Sequence, residues 1–161
     1  MVKLHIVTND KVWSSKKKYT SNNDLNNIIS CLSNNYDVKL ICRKSLKKLN
    51  FLINYKFGFC NFRKITENKI NLFLISISPY NFFILIYLLF IKRIEVKGFV
   101  YLRSDGFLEY KYRYGFFGYY IYYLMFFFIK NYLKIVSCSN NFTHVNTKQI
   151  VHPSELNSDW F

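Results

Sequence analysis

The motifs that usually bind phosphate groups and metal ions are missing from this sequence. Its 161 residues include no alanine, five glycines and two prolines. No G-x-G-x-x-G, P-loop or H-E-x-x-H pattern is present, which excludes a nucleotide held by a recognisable glycine-rich loop. The four cysteines are widely spaced and form no C-x-x-C pair. We therefore expect reduced thiols, no metal site and no cofactor.

Acidic residues are scarce as well: nine Asp and Glu stand against 23 Lys and Arg, which gives a net charge of +14. A surplus of this size favours an anionic membrane or nucleic acid as a partner. The abundance of Asn, Lys, Ile, Phe and Tyr is also typical of AT-rich coding sequence, so a solvated lysine surface explains the charge equally well. No nucleic-acid-binding module is recognisable, and we predict no nucleic-acid partner.

No secretory signal is visible at the start of the chain. The apolar run after Lys3 ends at Val7, which is too short for the apolar region of such a signal. We therefore predict a cytoplasmic location, with peripheral contact at the inner face of a membrane as a further expectation.

Short apolar runs alternate with helical patterns along the chain. This alternation predicts an α/β fold: a Rossmann-like, mostly parallel sheet with helices on both faces, in a single domain spanning residues 1–152. The predicted strands are 4–7, 38–42, 72–77, 100–102, 135–138 and 149–151, with a weak one at 59–62. The predicted helices are 24–33, 79–94 and 116–129, with a short one at 46–53.

The apolar run at residues 72–91 is long enough to suggest a membrane span. However, Ser78 followed by Pro79 is a strong helix start. A serine side chain caps the first turn, and the backbone N–H that proline lacks would have no partner within the helix at this position. The run therefore divides into a strand and a helix. The alternative hypothesis is a small, basic integral membrane protein with spans at 72–91 and 116–129.

Three other residues are expected to have structural roles. His5 lies inside the first predicted strand, where a buried histidine with satisfied hydrogen bonds is the more common case. Gly115 and Gly118 are expected to allow close helix packing.

Polar side chains follow the predicted strands at the places where parallel sheets bind ligands, outside the carboxyl ends. Arg103, Asp105 and Glu109 follow one strand and offer a bidentate donor and two acceptors. Asp105 is the candidate base that orients or deprotonates a hydroxyl group, and Arg103 and Glu109 are candidate substrate ligands. The residues expected to form the opposite lip are Asn9, Asp10, Ser14 and Ser15. The competing interpretation is a turn in which Asp105 and Gly106 supply the geometry and Arg103 has a structural role, paired with a carboxylate.

Several short segments then carry a resemblance to a known family. They are Tyr101-Leu102-Arg103-Ser104-Asp105-Gly106, Glu109-Tyr110, Ile135-Val136-Ser137-Cys138, Ile150-Val151-His152-Pro153 and Trp160-Phe161. In this order the chain resembles the N-terminal, acceptor-side domain of a retaining glycosyltransferase with the GT-B fold. Ser154 stands where that family usually has glycine. The loop after the first strand also lacks the glycines often found there.

The resemblance implies transfer of a sugar from a nucleotide-sugar donor to a glycan or lipid-linked acceptor, with the acceptor held by this domain. In that family a second domain binds the donor. Here residues 153–161 would begin the linker, and the donor-binding domain is missing from the sequence. We therefore expect a truncated, polysaccharide-biosynthesis type of enzyme whose 161 residues alone are inactive.

Overall fold

A computed structural model of the chain describes residues 1–15, 18–49, 51–53, 55–139 and 142. It shows an α/β protein with three α-helices and one mixed, mostly parallel sheet. The strands are β1 (Val2–Ser15), β2 (Lys18–Ser21), β3 (Tyr36–Lys44), β4 (Phe51–Leu52), β5 (Gly58–Phe59), β6 (Lys69–Ile75), β7 (Glu95–Leu102) and β8 (Lys134–Ser137). The helices are α1 (Asn23–Ser33), α2 (Pro79–Ile86) and α3 (Gly106–Lys130). The α/β fold class and the mostly parallel sheet were both predictable from the sequence.

Six strands run parallel in the order β5-β3-β1-β6-β7-β8. Strands β3 and β5 lie on one side of β1, and strands β6, β7 and β8 lie on the other side. Side chains alternate between the two faces along each strand. In β6, Leu72 and Leu74 join a core cluster with α2 and α3, whereas Phe73 and Ile75 join a second cluster with α1. The helices therefore cover both faces of the sheet.

Helix α1 forms where its apolar face predicts it. Leu25, Ile28, Ile29 and Leu32 are all buried against the sheet. The Asn22 side chain caps the helix by accepting a hydrogen bond from the backbone N–H of Leu25 at 3.0 Å.

The first strand is much longer than the predicted strand at residues 4–7. Strand β1 continues to Ser15, beyond the carboxyl ends of its parallel neighbours. This last part of β1 pairs antiparallel with β2, which in turn pairs with β4. The helix predicted at 46–53 is wrong, because residues 51 and 52 form β4. Strand β4 pairs with β2, which lies about thirty positions earlier in the chain, and local periodicity does not reveal such a distant partner.

The apolar run at 72–91 divides as predicted. Strand β6 ends at Ile75, and α2 begins at Pro79 with the Ser78 side chain accepting from the backbone N–H of Asn81. The helix ends earlier than expected, and a single π-helical turn, Tyr87–Ile91, follows it. Within the described residues, no helix combines the length and the apolar character needed to cross a membrane.

Helix α3 starts ten residues before the predicted helix and bends at Gly115. This glycine has φ 65° and ψ −152°, a conformation that side-chain-bearing residues rarely adopt. The bend folds the first part of the helix back on the second, so that the Phe107 ring packs on Tyr122 and Phe126 at centroid distances of 4.8 and 5.2 Å. At Gly118, a side chain would collide with the backbone carbonyl of Tyr110. The packing role expected of both glycines holds for Gly118, whereas Gly115 makes the bend.

Candidate functional site

A polar pocket of about 390 Å³ opens at the carboxyl ends of the parallel strands. It lies where the strand order changes direction, between β1 and the pair β6 and β7. Four of the seven predicted site residues line it. These four are Asn9, Asp10, Arg103 and Glu109.

The predicted lips of the site are in direct contact. The Arg103 guanidinium holds the Asp10 carboxylate with two bonds, Nη1 to Oδ2 at 3.1 Å and Nη2 to Oδ1 at 3.2 Å. Both side chains are largely shielded from solvent, at 23% and 15% exposure. Arg103 also donates from Nε to Ser76 Oγ at 3.2 Å and lies 3.7 Å from Asp24 Oδ2. Through these contacts Arg103, which directly follows β7, is tied to β1, to the residue after β6 and to α1.

An irregularity in β1 aims Asp10 at this pocket. The pairing of β1 with β3 shifts register between Val7 and Lys11, as in a β-bulge. Bulges often redirect a side chain beside a functional site. Within the bulge, the buried Thr8 hydroxyl donates to Asp10 Oδ2 at 2.9 Å and accepts from the Asp10 backbone N–H at 3.1 Å. These bonds fix the carboxylate before any ligand binds.

The turn that follows β6 forms one wall of the pocket and is under backbone strain. Ser76 has φ 63°, in the left-handed region that non-glycine residues seldom occupy. The fully buried Asn81 holds this turn, because its Nδ2 donates to the carbonyl oxygens of Ile75 and Ser76 at 2.7 and 2.8 Å. Strain of this kind is concentrated at functional sites and persists only where surrounding contacts enforce it.

Asp105 lies beside the pocket and outside the described lining. Its Oδ1 accepts hydrogen bonds from the backbone N–H groups of Phe107 at 3.0 Å and Leu108 at 3.2 Å, so the carboxylate caps α3. This is the structural role that the competing interpretation gave it. The Glu109 carboxylate does line the pocket, and it accepts from Ser104 Oγ at 3.1 Å and pairs with Arg113 at 2.8 Å.

The two predicted serines belong to another part of the chain. Ser14 is exposed in the hairpin formed by β1 and β2, opposite Tyr19. The backbone of Ser15 belongs to the same hairpin, and its side chain lies outside the described residues. Ser14 is therefore not part of the described lining of the pocket.

Sequence reasoning missed several residues that line the pocket. They are Ser76, Tyr110, Arg113, Tyr114 and Tyr122. The spacing of Glu109 and Arg113, four residues apart on a helix, is a signal that could have found Arg113. Tyr122 had no such signal, because it lies beyond the bend at Gly115 and reaches the pocket only when α3 folds back.

Burial makes two tyrosines of the pocket lining poor acid–base groups near neutral pH. Burial raises the pKa of Tyr122, with a further rise from the Asp105 carboxylate, and burial also raises the pKa of Tyr110. All four cysteines are free, and burial raises the pKa of Cys42 to about 12. Among the described residues, no three His, Cys, Asp or Glu side chains are grouped so that they could hold a metal ion.

A larger cavity, about 1100 Å³, lies at the opposite end of the sheet, along the amino ends of β1, β6, β7 and β8. Its lining is mostly apolar and includes Phe73, Phe99 and Ile135. We favour the smaller pocket as the site, because ligands of open parallel sheets bind outside the carboxyl ends of the strands and need several polar partners there.

Known proteins provide no further guide to this pocket. No protein-family model matches the chain, and comparisons with curated proteins and with solved structures yield no significant match.

Proposed function

We propose that this chain is the acceptor-binding domain of a glycosyltransferase. The polar pocket at the carboxyl ends of the parallel strands, which we call the carboxyl-edge pocket, would bind a polyhydroxyl acceptor. In this proposal a separate domain binds the nucleotide-sugar donor, and the chain works at the cytoplasmic face of a membrane. The observation that carries the proposal is the pocket itself, which combines hydroxyl, carboxylate, guanidinium and aromatic groups at the switch point of the sheet.

The strand order supports a Rossmann-like fold of the kind that GT-B enzymes use. Numbered along the chain, the six parallel strands follow the order 3-2-1-4-5-6, which is the order of doubly wound nucleotide-binding domains. The antiparallel β2 and β4 are additions at the end of β1. A shared fold does not establish a function, so the site must carry the argument.

The pocket suits a neutral or weakly charged sugar better than a phosphate group. Its two arginines already pair with carboxylates, Arg103 with Asp10 and Arg113 with Glu109. Carboxylate, amide and hydroxyl oxygens can accept hydrogen bonds from sugar hydroxyls, and the rings of Tyr110 and Tyr114 offer apolar surface.

Glu109 is the carboxylate best placed to orient an acceptor hydroxyl, because it lines the pocket and is half-buried. Asp105 is the candidate base predicted from the sequence. The two assignments differ in what they predict, because the Asp105 carboxylate also caps α3 and Glu109 does not.

Ligand-observed NMR tests the proposal directly. The purified chain is mixed with glucose, galactose, mannose and N-acetylglucosamine in turn, and saturation transfer from protein to sugar is recorded. We expect transfer to at least one sugar, and a marked loss of transfer in Glu109→Gln.

Glu95→Gln is the matched control. Glu95 is also an ion-paired carboxylate, but it is exposed and lies at the start of β7, far along that strand from the pocket. Equal transfer in wild type, Glu109→Gln and Glu95→Gln would place sugar binding elsewhere, and an absence of transfer to all four sugars would contradict the proposal.

A further inference from the structure

We propose that the bent helix α3 is a membrane-docking element whose aromatic outer surface enters the headgroup region of an anionic bilayer. This inference goes beyond the proposed function, since it would hold for any ligand of the pocket.

The outer surface of α3 is apolar and open to solvent. Phe116 and Phe117, next to the bend, are 75% and 79% exposed. Large side chains continue this surface on both sides of the bend. Those at least two-fifths exposed include Leu108, Tyr112, Tyr114, Tyr120, Ile121, Tyr123, Leu124 and Phe127. An apolar surface of this extent on one element is typical of an interaction site.

Gly115 determines how this surface is presented. Its backbone conformation folds α3 back on itself, so Phe116 and Phe117 lie at the turn between two packed helical segments. A projecting apolar turn can enter the headgroup region without a helix that crosses the bilayer.

The side chains around this surface are those that suit a membrane interface. Four of the exposed residues are tyrosines, which have an apolar ring and a polar tip. Lys111 is exposed on the same helix, and the Lys130 ammonium lies 5.2 Å from the centre of the Phe127 ring. Lysine stems can lie along apolar surface while their charges stay in water.

Charge favours a bilayer over a second copy of the chain as the occupant. Between Gly106 and Lys130 the helix has three cations and one acidic residue, and the whole chain has a net charge of +14. Two such surfaces would repel each other. An anionic lipid surface attracts them, with each nearby Lys or Arg contributing about 1 kcal/mol.

Docking by α3 would place the polar pocket beside the lipid headgroups. Tyr110, Arg113 and Tyr114 line the pocket and belong to the segment of α3 before the bend. One face of this segment therefore contributes to the pocket while the exposed side chains of Leu108 and Tyr112 belong to the docking surface.

Vesicle sedimentation of the full chain tests the docking surface. The vesicles contain phosphatidylcholine alone or phosphatidylcholine with phosphatidylserine, at low and at high salt. We expect binding that requires phosphatidylserine and falls with salt. The double variant Phe116→Ser/Phe117→Ser should lower the partition coefficient about tenfold or more, since burial of even one phenylalanine ring accounts for that factor.

Leu46→Ser/Phe51→Ser is the matched control, because it removes two exposed apolar residues outside α3 and should leave binding unchanged. Lys111→Glu should also weaken binding, and it provides an independent variant if the double variant folds poorly. Thermal melting verifies that each variant is folded.

Three results would overturn the proposal. They are equal binding by wild type and the Phe116/Phe117 variant, equal binding to neutral vesicles at high salt, and absence of vesicle binding by a chain that instead dimerises through α3. Sugar binding by the pocket is measured without lipid, so failure of docking and failure of the proposed function are separate outcomes.

Discussion

At the scale of single residues, Arg103 organises the carboxyl edge of the sheet. Its guanidinium contacts Asp10 on β1, Ser76 after β6 and Asp24 in the first turn of α1. Its backbone carbonyl accepts from the Cys138 thiol at 3.2 Å. Removing either member of the Asp10–Arg103 pair would leave a shielded charge without its partner.

We therefore expect Asp10→Asn and Arg103→Met each to lower the free energy of unfolding by about 1–3 kcal/mol. Because the two residues share one interaction, the double variant should lose less than the sum of the single losses. Urea denaturation of all four proteins measures this coupling. Additivity within about 0.5 kcal/mol would show that the pair does not act as a unit.

Asp105 allows its two assigned roles to be separated. Asn is as good a helix cap as Asp, so Asp105→Asn should keep stability, whereas Asp105→Ala should lose about 1 kcal/mol. Thermal melting compares the two variants. In an enzyme reconstituted with a donor-binding domain, a large loss of turnover in the stable Asp105→Asn variant would support the role of Asp105 as the base predicted from the sequence.

His5 makes stability depend on pH. The side chain is 2% exposed, and its Nδ1 has no hydrogen-bond partner among the described residues, so it is a core residue but an incompletely satisfied one. Burial lowers the pKa of His5. The positive charges of Lys3 and Lys39 lower this pKa further, whereas the negative charge of Glu67 raises it. Below about pH 6.5 the unfolded chain therefore binds a proton that the folded chain resists.

We expect stability to fall as the pH drops below about 6.5, and His5→Leu to flatten this dependence. Glu95→Gln is the control, because the hydrogen bond with Lys69 lowers the pKa of Glu95, and Glu95 is not among the groups that shift the pKa of His5. Its contribution is present above about pH 4.3 and is lost as the pH falls toward the folded value. Urea denaturation across the pH range would contradict the account if His5→Leu kept the slope near pH 6.

At the scale of elements, local signals predict some parts of the fold and miss others. Helix α1 has one apolar face and a capping Asn22, and the division before α2 depends on Ser78 and Pro79, so nearby residues suffice. The hairpin at the end of β1 depends on pairing with the distant β4. The first part of α3 is held by packing of Phe107 and Tyr110 on its second part, which becomes possible only after the bend.

The same division applies to the candidate site. The rule that polar residues gather at carboxyl ends correctly placed Asn9, Asp10, Arg103 and Glu109 around one pocket. It could not show that Arg103 is held by Asp10, since that contact joins residues 93 positions apart. It also misplaced Ser14, because β1 runs on past the edge of the sheet.

The bend in α3 makes a prediction about Gly115. A Cβ atom there would meet no described atom within 4 Å, so any cost of Gly115→Ala comes from the backbone conformation alone. We expect a loss of about 1–3 kcal/mol in the free energy of unfolding. Lys111→Ala, at an exposed helical position, should change it little. Equal stability of Gly115→Ala and wild type would contradict the bend.

At the scale of the whole molecule, polar and apolar surfaces are arranged around one end of the sheet. The carboxyl edge holds the polar pocket, and α3 connects this pocket to the exposed aromatic surface. In the proposed function the active site lies between the acceptor-binding domain and a donor-binding domain, so the acceptor-binding domain by itself should bind sugar without turning over. Release of nucleotide from nucleotide-sugars by the purified chain, at rates typical of enzymes, would show that it has a complete active site.

The central claim is that the carboxyl-edge pocket binds a polyhydroxyl ligand. Amide chemical-shift mapping of the isotope-labelled chain, titrated with the sugar that gives the strongest saturation transfer, tests it most directly. The account predicts that the perturbed amides cluster around Asn9, Asp10, Ser76, Arg103 and Glu109. Perturbations centred instead on the larger cavity at the amino ends of the strands, around Phe99 and Ile135, would contradict this claim.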